Sequence, residues 1–285
     1  MDKGKVRIVT DSTALVSAEE RELHNISVIP LKVIFGTEVY SEGVDITNED
    51  FYRRLAGGGA LPTTSQPPVD DFMRIYRSLA EAGHPVLSLH ISSRLSGTVN
   101  SALSARDKLP QARMEVVDCL TVALRMLIGP AVRAAEEGYS LAELKEYIEK
   151  LNAGMNAFGA LGTLEYLARG GRIGPARALL GTVLKIKPLL AFEGGELRVL
   201  SRARTSAKAI DYIVDMIGRR AGREAPLYVG VVHTENLEPA LMLKERVAEE
   251  FNCAELEVFE LGPVLASHLG PGFFGIGFYG EGNIP

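Results

Sequence analysis

The sequence predicts an α/β protein of two domains: an N-terminal, parallel-sheet, Rossmann-like α/β domain over residues 1–155 and a C-terminal α+β domain over residues 156–285. Three observations predict it. Through the first half, short β-branched and apolar runs alternate with helix-type segments, the pattern of βα units joined into a parallel sheet. Between residues 152 and 160 the pattern changes, and two strand-like runs then flank Gly194-Gly195, a hairpin signal, before further βα units. The composition, 46% hydrophobic and 24% charged over 285 residues, suits a chain that folds around a core.

The elements follow in order. Residues 5–10 (KVRIVT) read as a buried strand, and Asp11-Ser12-Thr13 as the polar turn after it. Ser17 and Glu20 have the spacing of a capping box, so a helix starts near Ala18. Residues 26–35 (ISVIPLKVIF) read as one strand, with Pro30 placing it at an edge or a bulge. Thr47 opens a helix that Gly57-Gly58-Gly59 breaks. Pro67 and Pro68 suit a first helical turn. Val69, Phe72, Met73, Tyr76, Leu79 and Ala80 then recur at helical spacing, and Gly83 ends the run. Strands at 85–91 and 113–118 alternate with helices at 99–109 and 122–137. Ser140 and Glu143 box a helix at 141–151. In the second half, strands over 185–203 lead to a helix at 206–219, a strand at 227–232, a helix at 237–250 and a strand at 254–261.

Composition excludes several classes. No stretch of about 18 uncharged apolar residues exists, so no transmembrane helix or stable membrane insertion is expected. The first residues, MDKGKVRIVTD, carry no long apolar core, and without a secretory signal the expected location is cytoplasmic. The net charge of −5 lacks the basic surplus of a nucleic-acid binder. Cys119 and Cys253 form no C-x-x-C pattern and are expected to be buried thiols. The five histidines have no zinc-site spacing, so no metal is expected.

Four local patterns could carry chemistry. Pro62-Thr63-Thr64-Ser65-Gln66-Pro67 reads either as a helix N-cap or as an anion site at a helix N-terminus. Ser92-Ser93-Arg94-Leu95-Ser96-Gly97-Thr98 lies between a strand and a helix, where α/β proteins bind ligands. It is neither a Walker A loop nor a nucleophile elbow, and capping is its plain alternative. Arg169-Gly170-Gly171-Arg172 reads as a helix C-cap with cations near the negative end of the dipole. With Arg202 and Arg204 it could instead form a basic rim. Ser267-His268-Leu269-Gly270-Pro271-Gly272 places a histidine in a Gly/Pro loop, beside the aromatic run 273–278. Asp11, Asp45 and Asp118 could be catalytic carboxylates, but each reads equally as a turn or cap residue. Hydroxyls, N–H donors and one histidine suit an anionic headgroup better than catalysis. The slightly positive mean hydropathy of +0.09 fits a ligand with an apolar body.

These patterns, in this order, resemble the DegV family. The resemblance runs through IVTDST (8–13), IPLKV (29–33), YSEGVDI (40–46), TTSQP, SSRLSGT, LEYLARGGRIG, IKPLL (186–190) and SHLGPG. It implies two α/β domains with a ligand tunnel between them and a bound long-chain fatty acid. It also implies, in some members, a role as the fatty-acid-binding subunit of a bacterial fatty acid kinase. There a separate kinase subunit supplies ATP and magnesium and phosphorylates the presented carboxylate to an acyl phosphate. Such a protein has no catalysis and no cofactor of its own. Carried onto this sequence, the carboxylate contacts fall on Thr64 and Ser96, with Ser65, Gly97 and Thr98 adjacent and His268 near the headgroup. Arg172, Arg202 and Arg204 would face the kinase or the phosphate. Two positions depart from the family pattern: Cys119 follows Asp118 where Ser is usual, and Ser267 stands where Thr is common.

Two other functions compete with this one. One is a lipid or ester hydrolase using Ser96 with His268. The other is a lipid carrier or sensor that meets no kinase. Phe273, Phe274 and Ile276 are candidates for the tunnel wall or for ordinary core. The expected assembly is a monomer.

Overall fold

The computed structural model describes residues 4–58, 60–119, 124–179, 186–193 and 196–280. The turn expected at Gly194-Gly195 and the first residues of the helix expected over 122–137 lie outside these.

β1 (Arg7–Asp11) and α1 (Ala18–His24) lead to β2 (Ser27–Ile29). The capping box at α1 is complete: Glu20 N–H donates to Ser17 Oγ, and Ser17 N–H to the Glu20 carboxylate. The single strand expected over 26–35 is two strands in different sheets. Pro30 has no N–H to give a ladder, and the Leu31 N–H goes instead to Ser12 Oγ at 3.0 Å. Beyond this break β3 (Lys32–Phe35) pairs antiparallel with β4 (Glu38–Ser41). After α2 (Asn48–Ala56), β5 (Thr63–Ser65) returns antiparallel to the other side of β3.

α3 (Val69–Glu81), β6 (Val86–Ile91), α4 (Thr98–Asp107), β7 (Met114–Cys119), α5 (Leu124–Glu136) and α6 (Leu141–Ala153) complete the first half. The parallel sheet has the order β2-β1-β6-β7. Alternation along its strands sorts the core into two layers. Ile8, Leu87 and Leu89 meet α5 and α6, whereas Val9 and Val86 meet Phe72 and Tyr76 of α3 and Ala102 of α4. The chain goes from β1 to β2 on one side and later to β6 on the other. That reversal opens a crevice at the carboxyl ends of β1 and β6.

The second half contains β8 (Asn156–Ala160), α7 (Glu165–Arg169), β9 (Lys187–Glu193), β10 (Glu196–Ala203), α8 (Ser206–Ala221), β11 (Leu227–His233), α9 (Leu237–Glu250), β12 (Cys253–Glu260), α10 (Pro263–Leu269) and β13 (Phe274–Gly280). Its mixed sheet has the order β10-β9-β8-β13-β11-β12, with β11 and β12 parallel and the other pairs antiparallel. One face packs on α8 and α9 through Phe158, Ile276 and Phe278. On the other face, Leu161, Leu190 and Phe273 share a core with Leu167 of α7, Leu265 of α10 and Ile91 of β6. Tyr279 of β13 reaches the core around α5. The fold is therefore a two-domain α/β architecture whose parallel and mixed sheets meet through shared apolar cores.

Cys119 is a buried free thiol and Cys253 a half-buried one. No helix of the described residues is long and apolar enough to cross a membrane.

Candidate functional site

A cavity of about 290 Å³ lies where the crevice of the parallel sheet meets the mixed sheet. Its apolar wall comes from both halves, including Leu31, Ile91, Leu190, Leu265, Leu269 and Phe273. Its polar end is formed by Thr64, Ser65, Gln66, Ser96, Gly97, Arg172 and His268. A cavity of this build accepts an amphiphile with one small polar head.

Thr64 arrives on a strand. The expected helix N-terminus at TTSQP is overturned, because β5 pairs Thr64 with Val33 of β3 and α3 begins only at Val69. Two threonines favour extended backbone, and the residue before each proline is pushed out of the helical region. His268 arrives from the other direction, in the last turn of α10 and not in the Gly/Pro loop expected for it. The apolar face of that helix (Val264, Leu265, Leu269) anchors it. The two side chains meet: Thr64 Oγ1 and His268 Nε2 are 2.7 Å apart.

The other ring nitrogen fixes the direction of this hydrogen bond. Among the described residues, His268 Nδ1 is buried without a partner and faces Gly170, where an added Cβ would lie 2.2 Å from it. A bare acceptor in such a place costs less than an orphaned N–H. We therefore assign the proton to Nε2, which donates to Thr64 Oγ1. The Thr64 hydroxyl proton is then free to donate into the cavity. Burial, and then the Arg172 cation, lower the His268 pKa from 6.5 to about 4, so the ring is neutral at pH 7.

Ser96 sits just before α4, half-buried, at the carboxyl end of β6. Its Oγ lies 2.8 Å from Thr98 Oγ1 and accepts from Thr98 N–H at 3.3 Å. Thr98 is fully buried and does not line the cavity, so it orients Ser96 from behind. Ser65 is exposed at the rim, and its hydroxyl bonds the Gln66 carbonyl. Gly97 lines the cavity beneath the Gln66 amide, which occupies the space a Cβ would take.

Arg172 lies at the polar end and ties two loops together. Its Nε donates to the Leu95 carbonyl at 3.0 Å and its Nη1 to the Gly170 carbonyl at 2.6 Å. Arg202 and Arg204 are elsewhere: both are exposed, on and just past the edge strand β10, and neither lines the cavity. Of the three wall candidates, Phe273 lines the cavity. Phe274 and Ile276 point to the opposite face of the sheet and belong to the α8/α9 core.

Reading the sequence missed three contributors. Gln66 bridges β5 to α4 through Ser101 Oγ at 2.9 Å. Glu42, fully buried at the end of the β4 hairpin, accepts from Val264 N–H at 2.8 Å and so joins the sheet that carries Thr64 to the helix that carries His268. Burial, opposed by hydrogen bonds from Ser12 and Val264, raises its pKa to about 7. The apolar wall from Leu190, Leu265 and Leu269 was hidden because single leucines announce core and nothing more. Among the described residues, no group of three or more His, Cys, Asp or Glu side chains is placed to hold a metal ion.

Comparison with known proteins finds relatives over nearly the whole chain. A family model described as "Uncharacterised protein, DegV family" matches residues 5–281. A DegV domain-containing protein of Streptomyces coelicolor is 38% identical over 275 residues, covering 95% of this chain and 97% of the relative. A solved structure described as fatty acid binding of a DegV family protein from Thermus thermophilus superposes with a TM-score of 0.91 at 36% identity, covering 97% of this chain and 99% of that one. A stearic acid-binding protein from Eubacterium ventriosum superposes with a TM-score of 0.85 at 29% identity, covering 96% and 98%.

Proposed function

Because the chain belongs to the DegV family, we propose that it binds a long-chain fatty acid in the cavity, with the carboxylate held by the Thr64 and Ser96 hydroxyls and His268 orienting Thr64 at that head. The observation that carries this reading is the half-buried Thr64–His268 pair at the one polar end of an otherwise apolar cavity. Structural neighbours described as fatty-acid-binding proteins support it.

The energetics are consistent. Burying about fourteen methylenes at roughly 0.8 kcal/mol each yields on the order of 11 kcal/mol before the costs of association. The tail supplies affinity, while the head must be matched by donors or its desolvation consumes that gain. Thr64 and Ser96 hydroxyls donate without adding a buried cation, and neutral His268 holds Thr64 in the donating orientation. Arg172 adds positive charge at the same end.

We extend the reading to presentation of the head to a separate kinase subunit, which would phosphorylate the carboxylate to an acyl phosphate. Arg172 would face the transferred phosphate, and the exposed Arg202 and Arg204 the partner. The protein itself would be non-catalytic. We place the division between its domains at 155/156, because α6 ends at Ala153 and β8 enters the other sheet at Asn156. The hydrolase alternative needs His268 to deprotonate Ser96. Among the described contacts Ser96 bonds Thr98, His268 bonds Thr64, and no carboxylate orients His268 Nδ1.

Native mass spectrometry of purified protein, followed by denaturing lipid extraction, tests the binding. A stoichiometric fatty acid is expected. No adduct, and no shift on adding palmitate or oleate, would overturn the reading. A pulldown with the kinase subunit from the same genome separates the kinase subunit from a free-standing carrier.

A further inference from the structure

We propose that Phe273 is the residue that determines which acyl chains the cavity accepts, with Gly159 and Gly275 as the seat that holds its ring; this rests on the cavity being a fatty-acid site.

The argument begins with the sheet register. β13 and β8 place Gly275 directly opposite Gly159. Neither has a Cβ, so the pair leaves a shallow depression in the face of the sheet. The Phe273 ring fills it. A Cβ built on Gly159 would lie 2.4 Å from Phe273 Cε2 and 2.7 Å from Cζ, and one on Gly275 would lie 2.9 Å from Cζ. Ordinary side chains do not approach so closely, so the ring sits where any other residue pair would exclude it.

The backbone of Phe273 is pinned independently of its ring. Its N–H donates to Thr234 Oγ1 at 3.1 Å, and its carbonyl accepts from Thr234 N–H at 3.0 Å. Thr234 is itself fully buried, and its hydroxyl donates to the Gly270 carbonyl. With the main chain fixed, the depth of the glycine seat alone sets how far the ring projects toward the ligand. Phe273 is 5% exposed and lines the cavity beside Leu190, Leu265 and Leu269. Its outer face is therefore a wall of the space left for the tail.

Two substitutions should move that wall in opposite directions. Phe273→Leu shortens the side chain and widens the cavity. Gly159→Ala inserts a methyl under the ring and tilts it inward. Gly159 is the better handle, because a Cβ at Gly275 would also lie 2.5 Å from the Phe158 carbonyl oxygen, which cannot yield.

The test is competition between palmitate, which is straight, and oleate, which is bent by its cis double bond. The oleate-to-palmitate affinity ratio is measured for wild type, Phe273→Leu and Gly159→Ala. The ratio is expected to rise about tenfold in Phe273→Leu and fall about tenfold in Gly159→Ala, as a methylene-sized change in an apolar pocket does. The double variant should return toward the wild-type ratio. Ratios within twofold of wild type in both single variants, each folded and still binding palmitate, would overturn the role of Phe273. If Gly159→Ala does not fold, Phe273→Leu and Phe273→Ala decide, and a flat ratio across both overturns the proposal. Wild type that binds neither acid would remove the fatty-acid reading instead, a separate result.

Discussion

The Thr64 hydroxyl and the His268 imidazole meet at 2.7 Å, although 204 positions separate them in the chain. One rides on a three-residue strand, the other on the last turn of a seven-residue helix. Glu42 clamps those two supports together through Val264 N–H. The head of the cavity is thus a junction of three segments, and each contributes a measurable property.

Ser96 should contribute a charge-assisted hydrogen bond to a bound carboxylate. Ser96→Ala is expected to weaken retention by about 1–3 kcal/mol in a lipid displacement assay. Its thermal melt without ligand should move little, because Ser96 is half-buried and, among the described contacts, its hydroxyl bonds the neighbouring Thr98, while its backbone N–H bond to the Ser92 carbonyl survives the substitution. Unchanged affinity would remove Ser96 from the site.

Thr64 and Ser96 should act on the same head. In a double-mutant cycle of Thr64→Val and Ser96→Ala, the binding losses are expected to be non-additive by at least about 0.5 kcal/mol. Simple additivity would argue that the two hydroxyls serve different ends of the ligand.

His268 should stay neutral well below the ordinary range. Its folded pKa, about 4, lies below the ordinary 6.5. The contribution to stability is therefore present above pH 6.5 and is lost as pH falls toward 4, where the unfolded chain takes the proton first. Imidazole resonances followed by NMR should show a midpoint near 4. Arg172→Leu should raise that midpoint, since it removes the nearby cation. A wild-type midpoint at 6.5 would contradict the burial of the ring.

Glu42 should produce the opposite pH dependence. Its folded pKa is raised from 4.5 to about 7, so its stabilising contribution is full below pH 4.5 and declines as pH rises through 7. The span amounts to a loss on the order of 3 kcal/mol. Glu42→Gln keeps an acceptor for Val264 N–H and cannot ionise. Thermal melts across pH 5 to 8 should fall for wild type and flatten for the variant. Parallel curves would show that Glu42 does not titrate in this window.

Local signals in the sequence carried much of the fold and less of the site. The capping boxes at Ser17 and Ser140 marked helix starts that the structure reproduces. The apolar spacing around Phe72 and Tyr76 identified the buried face of α3. What escaped was short or atypical. β4 and β5 have four and three residues, too few for alternation to register, and β3 was legible only as the far end of one strand over 26–35. β8 (NAFGA) and β13 (FGIGFYG) are rich in small residues that disfavour strands in isolation. The structure tolerates them there, and Gly159 and Gly275 make room for the Phe273 ring. Local patterns flagged the segments of Thr64, Ser96 and His268 one by one, and the resemblance alone suggested a shared head, since no spacing along one segment brings position 64 to position 268.

The place of β13 in the mixed sheet bears on how the chain is born. It is the last strand described, yet it lies between β8 and β11. Until it emerges from the ribosome, β10-β9-β8 and β11-β12 are two ribbons, each with an open edge where the central strand belongs. Open edges recruit other chains. A nascent chain stalled before residue 274 should therefore be prone to aggregate and a client for chaperones, and release of the final strand should close both edges in one event.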